Sequence, residues 1–254
     1  MYYRTLTRYG GMRGGWLVLL CCVLLIACTN PAAPPPDQQA ITFTRAVDLS
    51  HIITQDMPHP PAAPATVIQR NASGMVKALA IGVQSGTTLR LTPIPGNAPR
   101  TVDMLSPRDL LRPAVVLDLR DRAQDNPSYR LSAEHIRDWE TQHGPIPADS
   151  IVLLATGWDL RWGSPAEYLR IGDSGQSAVP GVADDAIALL RQRQILGIGI
   201  DTPALGSEPA AGWLVLENLT RLEQLPPVGT TLVIGVLKVQ ASPASPAMVR
   251  ALIP

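Results

Sequence analysis

Thiols and charged groups are scarce in this sequence. Its 254 residues include only three cysteines, and all of them lie among the first 28 positions, at Cys21, Cys22 and Cys28. The rest of the chain therefore has no thiol for a disulfide, a thiolate metal site or a cysteine nucleophile. Charged residues amount to 17% and the formal net charge is zero. A nucleic-acid partner is not expected, because proteins that bind nucleic acids normally carry a basic patch.

Two catalytic signatures are also missing. The sequence has no Gly-x-Ser-x-Gly elbow, which argues against serine acyl transfer, and no glycine-rich phosphate loop, which argues against nucleotide binding. Histidine occurs only four times. His135 and His143 fall on a predicted helix and at its C-terminal end, where an imidazole needs no catalytic role. His51 and His59 are the histidines that remain as candidates for a site.

The N-terminal segment has the pattern of a bacterial signal peptide. Three arginines and no acid precede an apolar run over residues 16–27, which is short for a membrane span. Residues 25–28, Leu-Ile-Ala-Cys, resemble a lipobox, so we expect cleavage after residue 27 and a lipid on Cys28. The alternative is an uncleaved signal anchor. Residues 28–40 are rich in proline and predict an extended tether between the bacterial cell envelope and a folded domain over residues 41–254.

Residues 41–254 predict a single compact α/β domain with a mixed β-sheet core flanked by helices. Continuous apolar runs at 114–119 and 150–156 indicate buried central strands. Helical spacing predicts an amphipathic helix over 182–193, followed by a strand that enters Asp201. The other predicted elements are a hairpin or two strands within 76–92, a helix opening at Ser106, a helix over 131–143, a long loop over 159–180 with a short helix around 166–169, and strands at 214–219 and 230–239.

The stretch over residues 83–96 carries the clearest candidate site. Leu89 and Leu91 alternate with the polar residues at positions 88, 90 and 92. A strand with this alternation buries its leucines and gathers its polar side chains on the opposite face. We expect a binding or catalytic site to lie on that polar face.

Five short segments occur along the chain in a recognisable order, namely Asp48-Leu49-Ser50-His51, Gly86-Thr87, Thr156-Gly157-Trp158, Gly199-Ile200-Asp201-Thr202 and Glu217-Asn218-Leu219. In sequence and in order they resemble segments of the cyclase family, which includes the bacterial kynurenine formamidases. The resemblance covers residues 45–254. It implies a compact α/β domain with a mixed sheet, a homo-oligomer and, in active members, a zinc or manganese ion that activates water to hydrolyse an amide such as N-formylkynurenine.

The resemblance also implies metal ligands that this chain replaces. The family motif is His-x-Gly-Thr-His-x-Asp-x-Pro-x-His, and this chain keeps its central Gly-Thr while placing other residues at the ligand positions, namely Gln84, Thr88, Arg90 and Ile94. Amide and hydroxyl oxygens are weak donors, isoleucine donates nothing, and a guanidinium repels a divalent cation. We therefore expect no metal cofactor at this position.

Glu217 is what remains of the family's acidic and imidazole ligand set. Without a metal, a carboxylate there needs a new partner or is driven towards its neutral form. We hypothesise that Arg90 forms an ion pair with Glu217, so that a guanidinium takes the place of the metal ion. The alternative is that Arg90 reaches solvent.

The first functional interpretation is an envelope lipoprotein with a degenerate metal site that acts as a non-catalytic binding or interaction module. Its partners are then the membrane, through the lipid, and a small anionic ligand held by Arg90. We expect the remaining ligand-binding side chains to be Gln84, Thr88, Trp158 and Glu217.

The second functional interpretation is an active arylformamidase-type hydrolase, which converts N-formylkynurenine to kynurenine in tryptophan catabolism. It requires a shifted metal site built from the remaining candidates, His51, His59 and Glu217. The two interpretations differ in whether these three side chains converge on one point.

Overall fold

The apolar runs predicted as buried strands lie at the centre of an eight-stranded mixed sheet. A computed structural model describes residues 42–59, 63–172 and 177–254, and Thr42–Pro254 forms one compact unit. The predicted signal peptide, the lipidation site at Cys28 and the tether lie outside the described residues. Within the described ranges, no helix has the length and apolar character needed to cross a bilayer.

Twelve strands and four α-helices make up the described secondary structure. The strands are β1 (Arg45–Asp48), β2 (Val67–Arg70), β3 (Val76–Ala80), β4 (Thr88–Leu91), β5 (Leu111–Asp118), β6 (Arg130–Leu131), β7 (Ile151–Ala155), β8 (Gly181–Val182), β9 (Gly197–Ile200), β10 (Leu214–Glu217), β11 (Thr230–Val236) and β12 (Ala244–Ile253). The helices are α1 (Arg120–Asp125), α2 (Ala133–His143), α3 (Pro165–Leu169) and α4 (Asp184–Gln192). Short 3₁₀ turns occur at Val102–Met104, Trp158–Arg161 and Leu222–Gln224.

The main sheet closes on itself. Its strand order is β1-β12-β11-β5-β7-β9-β10-β4, and β12 also pairs with β4, so seven strands form a ring with β1 attached outside it. β5, β7, β9 and β10 run parallel to one another, whereas β4 joins β10 and β12 in antiparallel pairs. Strand β4, which carries the candidate site, is therefore held on both sides.

Alternate residues of the central strands fill two separate cores. On β7, Ile151 and Leu153 join the cluster formed by the inward side chains of the ring, while Val152 and Leu154 pack outward against helices α2 and α4. Burying an aliphatic side chain of this size contributes about 1.5–3 kcal/mol. Both faces of these parallel strands are covered, which explains why their sequences are continuous apolar runs.

The predicted fold class is confirmed. Of the two alternatives for the segment 76–92, the structure has the two strands, because β3 pairs with β2 in a separate ribbon while β4 enters the main sheet. Other element predictions need correction. The helix predicted at Ser106 is a turn, in which the Ser106 hydroxyl donates to Asp109 Oδ2 at 2.7 Å. The longest strand, β12, is missing from the prediction, since its Ser-Pro-rich start is typical of a loop.

Candidate functional site

A hydrogen-bonded frame joins the start of β4 to the end of β10. The Thr87 hydroxyl donates to the backbone oxygen of Asn218 at 2.6 Å, and Asn218 Nδ2 donates to the backbone oxygen of Gly86 at 2.6 Å. Gly86 has a φ of +71°, a conformation that glycine adopts without steric cost. The Gly-Thr pair and the Glu-Asn pair of the sequence pattern are thus in direct contact.

A second set of hydrogen bonds joins the carboxyl ends of β7 and β9. The fully buried carboxylate of Asp201 accepts from the backbone nitrogen and hydroxyl of Thr156, at 2.9 and 2.5 Å, and from the backbone nitrogen of Gly157 at 2.7 Å. Burial raises the pKa of Asp201 to about 7, although these hydrogen bonds oppose the shift. Tyr168 links this group to the first frame, since its hydroxyl donates to Asp201 O and Asn218 Oδ1.

The polar face of β4 opens on a small cavity of about 190 Å³. The cavity is lined by apolar side chains and by polar ones: Pro58, Leu169 and Pro203, with Gln84, Thr88, Arg90, Glu217 and Asn218. Four of the five residues predicted to bind a ligand are therefore brought together. Pro58, Leu169 and Pro203 were not predicted, and Asn218 was recognised only as part of the Glu-Asn-Leu segment.

Arg90 and Glu217 form the predicted ion pair. Arg90 Nη2 lies 3.2 Å from Glu217 Oε1, and the two side chains are 24% and 12% exposed. Burial raises the pKa of Glu217, while the charge and hydrogen bond of Arg90 lower it in part. The hypothesis that a guanidinium compensates this carboxylate is confirmed, and the alternative of a solvent-directed Arg90 is wrong.

The residues at this cavity do not fit the metal ion expected for an active family member. Besides Glu217, the polar side chains of this lining are two amides, a hydroxyl and a guanidinium, and the guanidinium is a fixed positive charge that would repel the ion. Throughout the described ranges, no group of three His, Cys, Asp or Glu side chains is arranged to hold a metal. His51, His59 and Glu217 therefore do not form the shifted site that the hydrolase interpretation requires.

His51 belongs to a neighbouring cavity of about 280 Å³. Its ring stacks on Trp162 with a centroid separation of 3.8 Å and an interplanar angle of 8°, and its backbone nitrogen donates to the Thr87 hydroxyl at 2.9 Å. Burial lowers the pKa of His51 to about 4. A neutral, stacked imidazole of this kind supports the frame and is not positioned beside Glu217.

Trp158 is placed differently from the prediction. It is 1% exposed, its Nε1 donates to the Tyr168 backbone oxygen at 2.8 Å, and the Arg161 guanidinium lies 4.1 Å from its ring centroid. Its position directly after β7 turns the indole into the packing under helix α3. Trp158 therefore supports the cavity wall from behind and does not line the cavity with Arg90.

The sequence from β1 to just beyond β9 matches a protein-family model. A model of the Cyclase family matches residues 47–207, which is well over half of the chain. This chain belongs to the Cyclase family. Isatin hydrolase from Roseibium aggregatum is 32% identical over 167 residues, a match that covers 60% of this chain and 63% of that relative, less than two thirds of its length.

Solved structures of isatin hydrolases share the fold of this Cyclase family member. Isatin hydrolase A from Ralstonia solanacearum superposes with a TM-score of 0.74 at 25% identity, covering 97% of this chain and 100% of the other. Isatin hydrolase A from Labrenzia aggregata, solved with benzyl benzoate, gives a TM-score of 0.73 at 28% identity over 82% and 93% of the two chains. The named relatives are thus hydrolases.

Proposed function

We propose that this chain is a non-catalytic member of the Cyclase family that binds a small ligand bearing a carboxylate. The ligand occupies the cavity beside β4, and Arg90 is its main contact. The protein is held to the bacterial cell envelope by a lipid on Cys28. The Arg90–Glu217 ion pair carries this proposal, because it puts a guanidinium beside the carboxylate that the family resemblance assigns to the metal.

The chemistry of Arg90 supports a carboxylate as the ligand group. A guanidinium presents several N–H donors in a planar fork that matches a carboxylate, and its hydrogen bonds to anions are stronger than those between neutral groups. Thr88 and Gln84, which line the same cavity, add neutral hydrogen-bonding groups. A site with these residues can recognise a carboxylate, and its own carboxylate, Glu217, is already paired with Arg90.

The alternative is an amide hydrolase, and the identity to isatin hydrolase favours it. Such an activity requires water to be activated, which in metal-dependent hydrolases is the task of the bound ion. The side chains around Glu217 do not form a binding site for such an ion, so we place this alternative second.

Elemental analysis and activity assays on the same preparation separate the two functions. The full-length protein is purified without chelator, offered zinc and manganese in turn, and assayed with isatin and with N-formylkynurenine. We expect less than one-tenth of an equivalent of either metal and no hydrolysis above the uncatalysed rate. Stoichiometric metal together with turnover of either compound would rule out the non-catalytic function.

A further inference from the structure

The charges that line the cavity cancel. Its eight lining residues include one cation, Arg90, and one anion, Glu217. Both side chains are largely shielded from solvent, at 24% and 12% exposure. A ligand that separates them must leave each charge with a new partner, because a shielded charge without one is strongly unfavourable.

A ligand with a carboxylate alone compensates only Arg90. It draws the guanidinium away from Glu217 and leaves that carboxylate beside a second negative charge, so Glu217 has to take up a proton. A ligand with an ammonium alone pairs with Glu217 and leaves the Arg90 guanidinium without a partner, and Arg90 cannot lose its proton. Neither kind of ligand satisfies the two side chains as they stand.

We propose that the cavity binds a small zwitterion, with the ligand carboxylate on Arg90 and the ligand ammonium on Glu217. The inference rests on the proposed function and narrows its ligand class. The Nη2 to Oε1 contact is the only side-chain hydrogen bond of either residue among the described parts of the chain. Within those parts, the remaining N–H groups of Arg90 and the second oxygen of Glu217 have no other side-chain partner, and in the proposed complex they bind the ligand.

The size and lining of the cavity further restrict the class of ligand that it can bind. Arg90 and Glu217 are already in contact, so the ligand charges must lie close together, as they do on the same or adjacent carbon atoms of an amino acid. The apolar residues that line the cavity are Pro58, Leu169 and Pro203. A volume of about 190 Å³ and these three apolar residues suit an amino acid with a small apolar side chain.

Calorimetric titration of the full-length protein in detergent tests this ligand class. The probes are L-alanine, L-valine, L-leucine and β-alanine, each compared with its N-acetyl derivative, which lacks the ammonium, and its amide, which lacks the carboxylate. We expect at least one amino acid to bind at least tenfold more tightly than both of its derivatives. Its binding heat should be the same in phosphate and Tris buffers, because no proton is taken up.

The Glu217→Gln variant provides the matched comparison. Glutamine keeps the size of the side chain and removes its charge, so the amino acid should bind at least tenfold more weakly while its N-acetyl derivative gains affinity. Circular dichroism and the thermal midpoint establish that the variant is folded. If it fails to fold, the buffer dependence of the wild-type binding heat still decides between a zwitterion and a simple anion.

The outcomes separate this inference from the function on which it rests. Tighter binding of the N-acetyl derivatives, with uptake of about one proton, overturns the zwitterion and leaves a carboxylate-binding protein. Binding of the amides alone, or of none of the probes, overturns both the zwitterion and the carboxylate-binding function.

Discussion

Tyr168 and Asn218 are joined by a buried hydrogen bond of 2.9 Å, from the phenol hydroxyl to the amide oxygen. The other end of the same amide donates to the backbone of Gly86, and Asn218 directly follows the Glu217 of the ion pair. The position of the carboxylate is therefore fixed by a chain of contacts that runs from helix α3 to the turn before β4.

Removing the hydroxyl in the Tyr168→Phe variant should destabilise the fold. Tyr168 is fully buried, and its hydroxyl donates to both Asn218 and Asp201, so the substitution leaves two buried acceptors without their donor. We expect the free energy of unfolding, measured in urea, to fall by about 1–3 kcal/mol. Tyr129→Phe is the matched control, since that hydroxyl meets His135 in a partly buried position, and it should cost less than half as much.

Gly86→Ala should destabilise the protein through its backbone. A Cβ at this position meets only Ile53 and Met57 at 3.8 Å, which is ordinary contact, but the φ of +71° is unfavourable for alanine. We expect a loss of about 1–3 kcal/mol in urea unfolding. Gly163→Ala is the control, because its Cβ meets nothing within 4 Å and its φ lies outside the positive range. Equal effects at the two positions would contradict this explanation.

Local sequence patterns predicted the parallel half of the sheet and missed its closure. Strands β5 and β7 are covered on both faces, so their apolar runs are unambiguous. Closure depends instead on Ser245 and Pro246 of β12, which lie opposite Leu89 and Thr88 of β4. That pairing joins residues more than 150 positions apart, and no local pattern indicates it. From local sequence alone, a proline at this position predicts a loop.

The ion pair was predictable because chemistry constrained it. Arg90 stands at a metal-ligand position of the family motif, so Glu217 requires a cation other than a metal ion. The strands that carry the two residues, β4 and β10, are neighbours in the sheet.

The position of Trp158 was not predictable in this way. An indole packs equally well in a cavity wall or behind it, and only the tertiary contact with Tyr168 decides between the two.

Acidification should remove the stability that neutral His51 contributes to the fold. Burial beside Trp162 lowers its pKa to about 4, with Asp159 raising it and Arg221 lowering it further. Between about pH 6.5 and pH 4 the unfolded chain binds a proton at this residue that the folded protein does not, so the stability contributed by neutral His51 falls as the pH falls through this window. Asp201 acts in the opposite direction, because burial raises its pKa to about 7 and the folded protein then binds that proton before the unfolded chain does. Urea midpoints measured at half-unit steps from pH 7 to pH 4.5 report the sum of the two effects, and the His51 contribution is the difference between the wild type and a variant without the imidazole.

The His51→Gln variant isolates that contribution. Without the imidazole, the stability at pH 4.5 relative to that at pH 6.5 should be higher than in the wild type. His143→Gln, at the exposed end of helix α2, serves as the control and should keep the wild-type pH dependence. A pH dependence that is unchanged in His51→Gln would contradict this role of the imidazole.

Restoring donors at the replaced positions should create a metal site. In the triple variant Gln84→His, Thr88→His and Arg90→Asp, two imidazoles and a carboxylate join Glu217 at one cavity, and the repelling guanidinium is gone. We expect about one zinc per chain by elemental analysis. A zinc concentration near 100 times the dissociation constant should stabilise the protein by about 2.7 kcal/mol. The corresponding triple alanine variant should bind none. A folded triple variant that stays metal-free would mean that the cavity geometry, and not only its side chains, differs from that of a metal site.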